Sequence, residues 1–339
     1  MRAFLAVVLT LAACSTGASD GKGTDGDGTT DAPLTGDDDD DGGSLTADER
    51  CSGPDPDFPV TLRFGEMDVI EVDGMQGIYH VPEDPQAVIV FFHGGGGVAG
   101  DLDYLEQWRL FNRAHCNGIA VLAGSSLGEN WSDDMPAAAN PDVPRIEALW
   151  AAVDAAEGLP SDLPVFVAGF SDGGGFAPRF ADMMAEVGWD IRALTLHNTG
   201  AAYIPNFPTA FNLTENDERI SPPSIRSRHQ DVLDRGLESV LFEWDEIPLT
   251  AERLTVIEDV DLATAEMIVE ELQTFDLIEA DGQRAFDLDS LNRVINTYQD
   301  NSEYRAPAKV TRQLRVVWAT HRFSGHAAAD EMDFLLTHL

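Results

Sequence analysis

The stretch Pro164-Val165-Phe166-Val167-Ala168-Gly169-Phe170-Ser171-Asp172-Gly173-Gly174-Gly175 decides how the chain is read. Its first residues are continuously apolar, as in a parallel strand covered on both faces. Gly169 to Gly173 then match G-x-S-x-G, the pattern of a nucleophile elbow. Such a turn holds a serine in a strained conformation between strand and helix and projects its hydroxyl. Its flanking positions are glycine because a Cβ there would strike the neighbouring strand and helix. Ser171 is the expected nucleophile.

Working outward, apolar strands alternate with helical patterns. Ala87-Val88-Ile89-Val90-Phe91-Phe92, Ile119-Ala120-Val121-Leu122-Ala123 and the stretch 191–197 read as further buried strands. Helical spacing appears over 102–114 and over 144–157, where Ile146, Leu149, Trp150 and Val153 share a face. This rhythm predicts a doubly wound α/β sheet, which binds ligands at the carboxyl ends of its strands. Val60-Thr61-Leu62-Arg63-Phe64 and Gly77-Ile78-Tyr79-His80-Val81 alternate and are expected as a leading hairpin. The region 245–300 carries only helical groups and is expected as an insertion or cap before a last strand at 314–319, followed by a helix at 327–336.

The second chemical signal is His93-Gly94-Gly95-Gly96-Gly97, directly after the strand 87–92. Acyl transfer generates an oxyanion that preorganised backbone N–H groups stabilise, and glycines let the backbone approach it. The expected donors are the amides of Asp172 and of Gly95 or Gly96. The loop lacks the Lys-Ser/Thr ending of a phosphate-binding loop and the spacing of a dinucleotide fingerprint.

A serine needs an adjacent imidazole to take its proton, and in an elbow protein the chain order is Ser, acid, His. His326, in Ser324-Gly325-His326, is the expected base, with His321 its main competitor. His197, at a strand end, reads as a packed residue. The acid should follow the penultimate strand. If that strand is 222–229, Asp231 is the expected acid and Asp234 the next; if it is 239–244, the acid is Asp245.

Together these motifs resemble the α/β-hydrolase superfamily, and within it the secreted polyhydroxybutyrate depolymerase and feruloyl esterase group. The resemblance covers residues 75–235 and 313–335, with Asp142-Val143 also in that group's layout. It implies an α/β-hydrolase fold, a Ser-His-Asp triad, an acyl-enzyme intermediate, an ester substrate and no metal or other cofactor. Two features depart from it. The group's His-Gly-x-x-Asp is absent, the chain reading His229-Gln230-Asp231, and the 245–300 insertion has no counterpart. A peptidase of the same fold and a non-catalytic binding lipoprotein are the alternative readings.

The amino terminus reads as an address. Met1-Arg2, a short apolar run and Leu11-Ala12-Ala13-Cys14 have signal-peptide features and resemble a bacterial lipobox, which implies lipidation of Cys14. The apolar run is too short to span a bilayer. Residues 15–50, almost all Gly, Asp, Ser and Thr with an acidic run at 37–41, read as a solvated tether; adjacent aspartates lack the alternation of a calcium loop. The chain is thus expected in the bacterial cell envelope, exported and anchored to a membrane, with its hydrolase domain over 51–339. Cys51 and Cys116 could pair there. A formal charge of −39, from 60 acidic and 21 basic side chains, argues against a nucleic-acid partner.

Overall fold

A computed structural model describes residues 67–339, apart from 161, 201, 258 and 259. Cys14, the 15–50 segment, Cys51 and the strand expected at 60–64 lie outside the described residues. Cys116 is disulfide-bonded.

An eight-stranded sheet organises the chain, in the order β1-β2-β4-β3-β5-β6-β7-β8. β1 (Asp68–Val72), a strand not among those expected, and β2 (Met75–His80), which matches the strand expected at 77–81, form a hairpin. Asp73 and Gly74 connect them with φ of +50° and +73°, as a tight hairpin of this hand requires. β2 also runs antiparallel to β4 (Ile119–Gly124). From β4 through β3 (Ala87–Phe92), β5 (Val165–Phe170), β6 (Ile191–His197), β7 (Thr209–Thr214) and β8 (Ser239–Trp244), every pairing is parallel.

β3 shows why the central strands are apolar throughout. Val88, Val90 and Phe92 face one core, where α2 (Val143–Glu157), α3 (Asp172–Glu186) and α4 (Pro222–Asp234) contribute Leu149, Phe180 and Ile225. Ala87, Ile89 and Phe91 face the other, with Leu110 and Phe111 of α1 (Leu105–Cys116) and Met332 and Leu335 of the C-terminal helix. Truncating such a doubly covered side chain to alanine costs about 2–5 kcal/mol, from lost transfer energy and the cavity left behind.

The carboxyl-terminal third departs from expectation. The segment 222–229 is no strand; it is the start of α4, with Pro222 and Pro223 at the helix N-terminus, where a missing N–H costs nothing. The penultimate strand is β7, and β8 is the last. After β8 come α5 (Ala251–Leu254), α6 (Leu262–Thr274), α7 (Leu291–Asn301) and α8 (Pro307–Val317). The expected strand at 314–319 is therefore the end of α8, and the helical insertion follows the last strand and reaches Val317. Its apolar run misleads because most of α8 is covered: Val310, Leu314, Val316 and Val317 are all buried. The four helices carry their own core, including Leu254, Ile268, Leu272, Ile295 and Trp318. A buried ion pair, Arg253 Nη2 to Glu106 Oε1 at 2.8 Å, ties this cap to α1. α9 (Ala328–Leu336) closes the chain.

Candidate active site

Ser171 sits between β5 and α3 with φ +53° and ψ −115°, a region L-residues avoid. The surroundings enforce that strain. A Cβ on Gly169 would fall on the Gly173 carbonyl, and one on Gly173 would fall on the carbonyls of Phe92 and His93. The Ser171 N–H donates to the His197 carbonyl at 2.9 Å, fixing the turn to β6. The hydroxyl is thereby held at the carboxyl end of the sheet.

The imidazole against it belongs to His321. Its Nε2 lies 2.8 Å from Ser171 Oγ, and its Nδ1 lies 2.7 Å from Asp217 Oδ2. The carboxylate accepts only, so Nδ1 carries the proton and Nε2 is left to accept from the serine. Asp217 follows β7 by three residues. Its other oxygen accepts the N–H groups of Arg219 at 2.8 Å and Ile220 at 2.7 Å, and its side chain is fully buried. These bonds fix the carboxylate's orientation toward His321 Nδ1.

The His321 loop is stapled to the end of β7. Ala319 adopts φ +49° just past α8, turning the chain back over the sheet. The Asn216 N–H donates to the Ala319 carbonyl at 2.9 Å, Thr214 Oγ1 to the Thr320 carbonyl at 2.9 Å, and Asn198 Nδ2 to the Arg322 carbonyl at 3.1 Å. Glu218 accepts the His321 N–H at 2.9 Å. Burial alone would raise the Glu218 carboxyl, but the backbone N–H bonds and the Arg315 charge outweigh it and hold it below its ordinary value.

The glycine loop completes the site. A Cβ on Gly94 would lie 3.4 Å from the Ser171 Cβ, so the loop passes directly beside the nucleophile. His93 Nε2 accepts the Ser126 N–H at 3.1 Å, which leaves Nδ1–H to donate to the Gly94 carbonyl at 2.8 Å. Burial lowers the His93 pKa, in keeping with this neutral tautomer. The Gly97 N–H donates to the same Gly94 carbonyl at 2.9 Å. A peptide is planar and trans, so fixing that carbonyl turns the Gly95 N–H the opposite way. Asp172 is the first residue of α3, and its N–H has no intrahelical acceptor. Its carboxyl, raised by burial, accepts the Trp131 N–H at 2.8 Å and holds the 125–142 loop in place. Buried Asp142 secures the same loop through the Leu127 and Ser132 N–H groups, at 2.7 and 2.8 Å.

Not all expected residues assemble here. Ser171, Asp172 and Gly95 do. The Gly96 N–H is already given to the Glu129 carbonyl at 2.6 Å. His326 is elsewhere: Nδ1 meets Ser324 Oγ at 2.9 Å, and its ring lies 4.2 Å from that of Trp244. Asp231 is on α4, paired with Arg228 at 2.7 Å. Asp234 accepts from Gln230 on the same helix, and Asp245 accepts the N–H of Glu246. His197 is buried, bonded to Glu331 Oε1 at 2.9 Å, as a packed residue would be.

The antiparallel β2, the parallel strands in this order and a serine elbow after β5 define one architecture. The chain adopts the α/β-hydrolase fold. Among solved structures, it is similar to Est1E from Butyrivibrio proteoclasticus at 14% identity, covering 62% of this chain and 100% of that one, with a TM-score of 0.38. It is also similar to an esterase from Pyrobaculum calidifontis at 16% identity, over 62% of this chain and 84% of that one, with a TM-score of 0.39. A soluble variant of monoglyceride lipase from Saccharomyces cerevisiae matches at 13% identity over 56% and 89%, with a TM-score of 0.38. No protein-family model and no curated protein matches the sequence. At these scores the hydrolase fold of the chain rests on its own strand order and elbow.

Sequence reasoning missed Asp217 because it missed β7. Thr209-Ala210-Phe211-Asn212-Leu213-Thr214 is half polar, yet all six residues are buried. Asn198 Nδ2, for example, donates to Thr214 Oγ1 at 2.8 Å. The usable signal was the β-favouring Thr209, Phe211 and Thr214, placed between β6 and the two prolines that open α4.

Proposed function

We propose that the chain is a serine hydrolase that cleaves carboxylic esters through Ser171, His321 and Asp217. The observation that carries this is the continuous chain from Ser171 Oγ to His321 Nε2 at 2.8 Å and from His321 Nδ1 to Asp217 at 2.7 Å. In this reading His321 takes the serine proton as Oγ attacks the ester carbonyl carbon. The resulting oxyanion accepts from the amides of Asp172 and Gly95. As the tetrahedral species collapses, His321 delivers the proton to the departing alkoxide. Water then attacks the acyl-serine with His321 again as base, releasing the acid and the free serine. Asp217 holds the tautomer and balances the transient imidazolium. The preference for an ester over a peptide bond comes from the resemblance of the elbow and glycine loop to secreted esterases.

The test is turnover of 4-nitrophenyl hexanoate by the purified protein, beside a 4-nitroanilide of the same acid. Ester hydrolysis that disappears in Ser171→Ala supports the reading. Hydrolysis confined to the anilide, or activity that survives Ser171→Ala, contradicts it. We further propose that Cys14 carries a lipid that anchors the exported chain through the 15–50 segment. Cys14→Ser protein that still partitions fully with membranes would overturn that.

A further inference from the structure

A cavity of about 580 Å³ opens beside the glycine loop, within the range of small-molecule sites. Phe91, Phe323 and Phe170, the residue directly before Ser171, line it, and Val256 and Ile257 reach in from the cap. Its far wall is α8. Lys309, Arg312 and Val316 lie on one face of that helix by their spacing, and all three line the cavity, as does Arg322 directly after His321. In a chain with 60 acidic and 21 basic side chains, cations gathered at the suspected substrate site stand against the overall balance.

The local carboxylates do not neutralise Arg312 or Arg322. Glu106 accepts from Arg253 Nη2 at 2.8 Å and from the Gly325 N–H at 2.9 Å. Asp101 belongs to the glycine-loop end, where it accepts the Val98 N–H at 3.3 Å. Glu218, which attracts Arg322, is itself bonded to Arg315 at 3.1 Å and to the His321 N–H. Arg312 lies 3.8 Å over the Tyr104 ring and also interacts with the Tyr104 hydroxyl, a neutral partner that leaves its charge unbalanced. Among the described residues no carboxylate is within ion-pair distance of Arg312 or Arg322, and Arg322 Nε is buried without a hydrogen-bond partner. Burial, with Arg315 and Arg312 nearby, lowers the Arg322 pKa to about 10. A desolvated cation without a counter-charge is costly to keep, and an arriving anion removes that cost.

We propose that Arg322, supported by Arg312, receives a carboxylate carried by the substrate. The substrate class is then an ester whose cavity-filling part is a short apolar chain ending in a carboxylate. A guanidinium suits that group because it donates two parallel N–H bonds to both oxygens. This inference rests on the serine-hydrolase reading and adds the substrate's charge to it.

The experiment compares kcat/KM in two matched pairs. With the carboxylate on the acid side, 4-nitrophenyl hydrogen adipate is set against 4-nitrophenyl hexanoate. With it on the alcohol side, 5-hexanoyloxy-2-nitrobenzoate is set against the same hexanoate. Wild-type protein should favour the carboxylated ester by about tenfold or more in one pair, as expected for a charge-assisted contact. That pair identifies which side of the ester enters the cavity. Arg322→Met and, on the rim, Arg312→Gln should each cut the preference ratio several-fold, and Arg312→Glu should cut it further. Hexanoate turnover without preference in either pair, or a preference untouched by the substitutions, overturns the anionic-substrate inference and leaves the hydrolase reading standing. Absence of turnover on all three esters overturns both.

Discussion

His321 and His326 lie five residues apart on the same returning segment, and the structure places them in opposite circumstances. Both ring nitrogens of His321 are bonded, one to a serine hydroxyl and one to a buried carboxylate. His326 is packed against Trp244. Burial first, then the charges of Arg109, His197 and Arg253, push its pKa down to about 3. An imidazole so reluctant to take a proton is a poor general base near neutral pH, whatever motif surrounds it. The difference teaches that the base is defined by the groups its two nitrogens meet, and that a position near the carboxyl terminus narrows the choice without making it.

The largest effect that would break this comparison is on turnover. His321→Ala should lower ester kcat by roughly 10⁴-fold or more, as loss of a triad member does, whereas His326→Gln should stay within about threefold of wild type. Steady-state kinetics on 4-nitrophenyl hexanoate, with folding checked by circular dichroism, measures both. Comparable losses in the two variants would erase the distinction. Next in size is the acid. Asp217→Asn keeps the shape but offers His321 a side chain that stabilises the wrong tautomer, so kcat should fall by about 10³- to 10⁴-fold. Asp231→Asn, on the surface of α4, should change it by less than about twofold.

The smallest effect concerns stability. A histidine whose folded pKa is depressed stabilises the fold above its unfolded pKa, and that contribution is lost as pH falls. For His326 the window runs from about 6.5 down to about 3. Over pH 6.5 to 5, before most carboxylates titrate, His326→Gln should remove up to about 1–2 kcal/mol of the acid-induced loss. Burial also lowers His93 and His229, so some slope should persist. Urea unfolding across that window gives the number, and an unchanged slope would show that His326 titrates normally.

The same contrast marks what could be read in the sequence. The centre of the sheet was legible because β3, β4 and β5 are buried on both faces and so apolar at every position. The elbow was legible because close backbone approach admits only glycine at 169 and 173. The carboxyl-terminal third was not. β7 buries Thr209, Asn212 and Thr214, which hides it from a hydrophobic pattern. α8 is covered around most of its circumference, so its apolar end passes for a strand, an ambiguity that short apolar runs always carry. Misreading those two elements put the expected acid at Asp231 and the expected base at His326, where the structure instead brings Asp217 and His321 to Ser171. The expected order Ser, acid, His fits the proposed Ser171, Asp217 and His321, but it was applied to the wrong strands.

The central claim is that Ser171 is activated by His321. It is tested most directly by the rate at which a fluorophosphonate probe phosphonylates Ser171, followed by intact-protein mass and peptide mapping. Wild-type and His326→Gln protein should label at Ser171 with rate constants within about threefold of each other, while His321→Gln should label at least about a hundredfold more slowly. Labelling of His321→Gln at the wild-type rate, or loss of labelling in His326→Gln alone, would contradict the account.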